Sequence, residues 1–351
     1  MCRERILKYH IKCDTYDYIG FAAAGDWKQI FETKKEILND KDNSRVMKGT
    51  KLFKEFLYEG DFVDGKMDGK GCIYKVGGEL MYKGEIKEGK ICGYGVRIFP
   101  NGNRYEGFYK NAKKNGQGKL ILKDYGTFEG GFLEDKREGY GIMVFKDGGK
   151  YQGEWKNDMA HGEGTHITAD GSVKYVGGWQ YNGRNGWGIL ENDRTVSSGT
   201  WKDNKLTGIA KIVNKNGNYY YGQIVNNVWN GKGVYNWADG KKYEGDFKNG
   251  KYNGYGIMSH DHFHYSGFFK NGLPHGRGTF VLRNIFRSVG YYKNGKRHGN
   301  SDFFDSFDKL LMSAKFSNGS MISYDLYDPS YINNMQNFQD FSCFLDKNNK
   351  K

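Results

Sequence analysis

The stretch YQGEWKNDMAHGEG, Tyr151 to Gly164, decides the fold. It opens like a β-strand, with Tyr151 and Trp155 on the same side of an alternating pattern. Yet Gly153 lies between them, and Gly162 and Gly164 follow. Glycine weakens a strand, because it has the most backbone freedom to lose and no side chain to pack. Its placement therefore needs a reason that a single strand cannot supply.

The reason lies in repetition. The pattern recurs every 22 to 24 residues, in lines that begin at Tyr58, Tyr82, Tyr105, Phe128, Tyr151, Tyr175, Ser197, Tyr220, Tyr243, Tyr265 and Ser288. The third position is glycine in every line, and so is the twelfth. The fourteenth is glycine except at Ala210 and Ser301. The fifth is bulky throughout, as in Tyr109, Trp155, Trp179, Trp201 and Phe247. A period of this length signals an array of supersecondary units.

Each line reads as a β-hairpin, with one strand over positions 1 to 5 and the other over positions 12 to about 18. Asn101-Gly102, Asp170-Gly171, Asn216-Gly217 and Asp239-Gly240 mark turns between lines. If the first loop closes symmetrically, position 5 faces position 12 and position 3 faces position 14. Large rings then lie over bare glycine backbone and replace the packing that glycine lacks. Eleven hairpins at about 4.8 Å per strand predict an array roughly 100 Å long.

Composition agrees with a mainly β chain. Fifty-two glycines with only 3 prolines exclude collagen, and 16% aromatic residues argue against disorder. Five cysteines without a C-x-x-C pair fit reduced thiols rather than a disulfide framework or a zinc site. No apolar run reaches the roughly 18 residues of a helical membrane span, and the N-terminus lacks a signal-like stretch. The net charge of +13 suits an acidic partner. Three regions are expected: an N-terminal flank (1–57), the array (58–301) and a C-terminal flank (302–351). Residues 26–39 place Trp27, Ile30, Phe31, Ile37 and Leu38 on one helical face behind Asp26 as N-cap. Phe304, Phe307, Leu310, Leu311 and Ala314 also follow helical spacing, with a strand expected at Met321–Tyr324 and a further amphipathic segment over 331–345. These short helical segments are expected to cap the sheet ends or to dock elsewhere, and the last residues to be a disordered tip.

No catalytic constellation is present. The chain has no P-loop, no HExxH and no G-x-S-x-G, and its closely spaced glycines belong to the repeat. His260, His262 and His264 alternate, but a modified turn accounts for them better than a metal site does. His161, His275 and His298 share position 11 and are read as turn residues. The expectation is a non-enzyme with no metal and no cofactor.

The pattern Tyr-x-Gly-x-Trp followed by Gly-x-Gly at this spacing resembles the MORN (membrane occupation and recognition nexus) family. The resemblance covers about residues 58 to 301 and implies a mainly β fold, an elongated, twisted single antiparallel sheet of successive hairpins. It implies a scaffold or adaptor between a membrane or cortical cytoskeleton and protein partners. It also implies a groove that holds a partner peptide or helix, here lined by Tyr105, Tyr109, Tyr151, Trp155, Tyr175, Trp179, Trp201, Tyr243 and Phe247. Position 6 is lysine in seven lines, Lys87, Lys110, Lys156, Lys202, Lys248, Lys270 and Lys293, a basic row suited to anionic phospholipid. Homodimers are an option through exposed strand edges; nucleic acid is not expected. The location implied is cytoplasmic, peripheral to a membrane or the cytoskeleton, with the cilium as an alternative site for a structural subunit that touches no lipid. A regulatory subunit of a separate signalling enzyme is the other alternative. Acylation of Cys2 is a further option, through its neighbours Arg3 and Arg5.

Overall fold

The computed structural model describes residues 7–13, 16–22 and 46–329. Every regular element among them is a strand apart from isolated turns. The chain divides into two units, 1–170 and 171–351. The first holds a separate hairpin, Leu7–Cys13 with Tyr16–Ala22, in register from Leu7↔Ala22 to Cys13↔Tyr16. It also holds an antiparallel meander of eleven strands, from Val46–Leu52 to Met159–Ile167. The second unit is a meander of fourteen strands, from Lys174–Gln180 to Ser320–Leu326. Within each meander the strands pair with their sequence neighbours, so both are open antiparallel arrays of hairpins.

The expected alternation is visible along each first strand. In Lys150–Lys156 the buried residues are Tyr151, Gly153 and Trp155, while Glu154 and Lys156 are exposed. The strand turns back through two residues with positive φ, Asn157 (49°) and Asp158 (69°). This is the type I′ geometry that matches the twist of flanking strands. Asp203-Asn204 and Asn226-Asn227 do the same. These turns also tie each hairpin to the one before. The Asp158 N–H donates to the Arg137 carbonyl (3.1 Å), and the Arg137 N–H donates to Asp158 Oδ1 (3.0 Å).

The register differs from the symmetric expectation. Position 3 does face position 14, as in Gly153↔Gly164. Position 5, however, faces position 10 of its own hairpin, Trp155↔Ala160, across a bulge. The expected partnership of positions 5 and 12 occurs between consecutive repeats instead: Trp155 faces Gly139 of the preceding line, and Trp201 faces Gly186. The bulge is the cause. It places two extra residues on the second strand, and the twelfth position takes a positive φ, 57° at Gly162.

The two glycine columns thus have different reasons. Gly162 supplies the left-handed backbone of the bulge, and the Glu154 side chain fills the space over it. Gly164 lies beneath the ring of Tyr151; a Cβ there would sit 2.5 Å from the phenol oxygen. Positions 3 and 14 join across strands into a continuous row, from Gly49↔Gly60 and Gly60↔Gly71 to Gly153↔Gly164 in the first unit.

The exceptions confirm the logic. Ser197 and Ser288 replace the leading ring in the same two lines that replace the fourteenth glycine by Ala210 and Ser301. Where no ring covers the backbone, a side chain is admitted. Position 10 then fills the gap: Leu206 is buried beside Gly199 and Ala210, and the Arg297 guanidinium donates to Ser288 Oγ (2.8 Å).

The helical expectation for 304–314 is overturned. Lys296–Phe304 and Leu310–Ser317 are antiparallel strands, paired Gly299↔Phe316 and Phe303↔Met312. The apolar spacing that mimics a helix comes from two strands either side of a turn at Asp305–Asp308, which puts Leu311, Ala314 and Phe303 into the core and leaves Phe307 exposed. The strand expected at 321–324 is found as Ser320–Leu326. The expected helix at 26–39 and the segment 331–345 lie outside the described residues.

Candidate binding faces

The leading rings and the fifth-position rings interlock on one face. Tyr105, Phe128, Tyr175, Tyr243 and Tyr265 each meet the fifth-position ring of their own line and that of the next, edge to face. Tyr105 contacts Tyr109 (centroids 5.1 Å) and Phe132 (5.0 Å), and Tyr175 contacts Trp179 (5.2 Å) and Trp201 (5.6 Å). Tyr243 contacts Phe247 and Phe269, both at 5.1 Å. Such pairs add about 0.5–1.5 kcal/mol each beyond their buried area. The polar atoms are used internally as well. The Tyr151 hydroxyl donates to the Glu154 carbonyl (3.0 Å), and Tyr243 to that of Asp246 (2.9 Å). Trp155 Nε1 donates to the Gly141 carbonyl and Trp201 Nε1 to that of Gly188.

The structure therefore closes the expected groove aromatics into a layer within each unit: Tyr105, Tyr109, Tyr151 and Trp155 in the first, and Tyr175, Trp179, Trp201, Tyr243 and Phe247 in the second. Except for the half-buried Trp179, none is more than 6% exposed. Basic side chains at position 10 close it further: Arg137 lies 4.2 Å over the Trp155 ring and Arg184 lies 4.6 Å over Trp201. Burial pushes the phenols up in pKa, Tyr220 to about 12 and Tyr151 and Tyr243 further.

The accessible rings lie on the opposite face. Tyr94 faces Phe108 across the strands and Tyr255 faces Phe268, all about half exposed. Tyr140 and Trp187 are more exposed still, at 58% and 61%. They occupy positions 13 and 4, columns whose variability hid them from a reading of invariant residues. Elsewhere in those columns the side chain at position 4 caps the bulge. Glu154 accepts from the Glu163 N–H (3.2 Å), Asp61 from Lys70 (2.9 Å) and Gln223 from Lys232 (2.7 Å). The signal was legible as an acid or amide directly after the third-position glycine.

The seven position-6 lysines are all exposed. They flank the type I′ turns, and the residue directly opposite is often another lysine: Lys87↔Lys90, Lys110↔Lys113, Lys202↔Lys205, Lys248↔Lys251 and Lys293↔Lys296. Of these ten, Lys113 alone has a carboxylate within ion-pair distance, Glu134. Like charges directly opposed on a sheet are destabilising.

Among the described residues no group of three or more histidine, cysteine or acidic side chains gathers for a metal ion. The rings of His260 and His262 are 6.0 Å apart, and His260 Nε2 is bonded to the Asp239 carbonyl (3.1 Å).

The family model for the MORN repeat matches ten segments: 58–79, 82–104, 105–127, 128–150, 151–173, 198–219, 220–242, 243–260, 265–284 and 289–300. Together they span more than half of the chain. The chain belongs to the MORN repeat family. The line from Tyr175 is not among the matched segments, yet it forms the same MORN hairpin, with the Tyr175 ring over Gly188. This MORN chain is 38% identical over 76 residues to MORN repeat-containing protein 3 of Xenopus laevis. That match covers 19% of this chain and 32% of the relative, so the chain spans about a third of the relative's length. Among solved structures, the SAS-4 (dCPAP) TCP domain in complex with a proline-rich motif of Ana2 (dSTIL) of Drosophila melanogaster aligns at 9% identity. The alignment covers 49% of this chain and 86% of that one, with a TM-score of 0.20, too low to carry an argument. Members of this family are generally repeat scaffolds for binding.

Proposed function

We propose that this chain is a non-catalytic scaffold that holds an anionic surface along the turn edges of its hairpin arrays, as an adaptor between a membrane or cortical structure and protein partners. One observation carries the reading: the opposed lysine pairs beside the turns. Five hairpins keep two ammonium groups across from each other, a cost to the free sheet that a bound polyanion offsets. Anionic headgroups supply about 1 kcal/mol per basic residue, and a row of many such contacts binds by avidity. The protein partner then meets the exposed rings of the first unit, Tyr94, Phe108 and Tyr140. The location that goes with this reading is cytoplasmic and peripheral to a membrane or the cytoskeleton.

Vesicle co-sedimentation tests it. Binding to anionic vesicles that fades with added salt, and is absent with neutral vesicles, supports the reading. Binding to neither returns the protein to a structural role within an assembly, such as a ciliary one, without lipid.

A further inference from the structure

One place on the turn edge is more than a member of a row. In the second unit an open cleft of about 800 Å³ lies between two successive hairpins. Lys248 and Lys251 enter it from one hairpin and Lys270 from the next, together with Asn253 and His275. No acidic residue lines it. Lys248 and Lys251 face each other directly across their strands. The nearby Asp246 is engaged elsewhere, with Lys232 Nζ at 2.6 Å and the Tyr255 N–H at 3.2 Å. His275 Nδ1 accepts from the Asn294 N–H (3.5 Å), which leaves a neutral ring's proton on Nε2. Phe268, half exposed and edge-on to Tyr255 at 5.7 Å, forms one wall.

The geometry points to a discrete oxyanion site here, which takes a phosphomonoester or pyrophosphate group. Three lysines from two hairpins, with Asn253 and His275, line one volume that no carboxylate lines. Such a group carries close to two negative charges and several strong acceptor oxygens, and matches donors that arrive from several directions. The group comes either from a free phosphorylated molecule or from a lipid headgroup. The inference rests on the reading of the turn-edge lysines as anion-facing, and differs from it by requiring one saturable site.

The test is calorimetric titration of the full chain with pyrophosphate, alongside co-sedimentation with vesicles that contain phosphatidate. The variants are K248Q/K251Q/K270Q and, as a control elsewhere in the same unit and outside the turn-edge row, K174Q/K215Q. All substituted positions are exposed, and matched thermal melts verify folding. The expected result is one-site binding, weakened at least about tenfold by the triple change and by less than about twofold in the control. Loss for pyrophosphate assigns a free ligand, and loss for vesicles alone assigns a headgroup. Equal weakening by both variants, or none by the triple change, overturns the site. Pyrophosphate and vesicle binding that both survive the triple change overturn the site while leaving the scaffold reading intact.

Discussion

The Tyr151 ring occupies the space that any side chain on Gly164 would need. A Cβ on Gly164 would sit 2.5 Å from the phenol oxygen and 2.7 Å from Cζ. The Tyr151 hydroxyl meanwhile donates to the Glu154 carbonyl at 3.0 Å, which fixes the ring in place. Gly164→Ala is therefore expected to destabilise the protein by about 1–3 kcal/mol, the usual cost of forced overpacking. The lines headed by Ser197 and Ser288 show the compensation, since they carry Ala210 and Ser301 at the fourteenth position. A double-mutant cycle of Gly164→Ala with Tyr151→Ser, read by urea unfolding, is expected to give a favourable coupling of about 0.5–3 kcal/mol. Strict additivity would show that ring and glycine are independent.

Gly162 has a different constraint. Its φ of 57° is left-handed, and the Glu154 side chain fills the space above it. Gly162→Ala is expected to cost about 1–2 kcal/mol in backbone strain alone. The added Glu154→Ala change removes the clash but not the strain, so recovery is expected to be partial. Full recovery in thermal melts would place the whole cost in the side-chain contact.

Arg297 is buried, lies 4.9 Å over the Phe303 ring, and bonds to Ser288 through one nitrogen. Its Nε and Nη1 have no protein partner. A buried charge with so little hydrogen bonding contributes mainly by filling space, and apolar replacements of similar volume are often neutral or stabilising by about 1–4 kcal/mol. Arg297→Met is expected to hold or raise stability, and Arg297→Ala to lower it by about 2–5 kcal/mol through the cavity left behind. Denaturant midpoints of the two variants decide this; a large loss in both would give the charge itself the stabilising role.

The buried tyrosines make the fold sensitive to alkali. Burial raises Tyr220 to about 12, above the roughly 10 of an unfolded chain. A phenol whose folded pKa is raised favours the folded state fully below the unfolded value. That contribution is lost as pH rises from about 10 through about 12. Tyr58, Tyr82, Tyr105, Tyr151 and Tyr243 are raised in the same direction, chiefly by burial, and extend the loss further. Unfolding free energy is expected to fall steadily above about pH 10, with tyrosinate absorbance appearing together with unfolding. Ionisation of all tyrosines before unfolding would contradict the buried layer.

Much of this was legible. The eleven lines, the hairpin in each and the ring over glycine follow from columns that any alignment of the chain with itself reveals. The type I′ turns are encoded too, in pairs such as Asn157-Asp158 and Asp203-Asn204, while the Asn-Gly and Asp-Gly dipeptides mark the other turn. The strands at 296–317 were misread because Phe304, Phe307, Leu311 and Ala314 fit a helical period by the accident of a turn between two strands. The accessible rings were missed for the opposite reason: columns 4 and 13 vary, since a ring, an acid or an amide each suits a solvent-facing site beside the bulge.

The sequence by itself determined the unit, its length and its glycine columns, because alternation, turn chemistry and backbone freedom act over a few neighbouring residues. Only the tertiary structure decided that Trp155 faces Ala160 in its own hairpin and Gly139 in the one before. It alone decided that the groove aromatics close on one another within each unit, and that Lys248, Lys251 and Lys270 share a cleft. Those relations link residues on separate strands. They depend on a two-residue bulge that shifts the register of each hairpin, and no local pattern encodes where a shifted register brings distant side chains together.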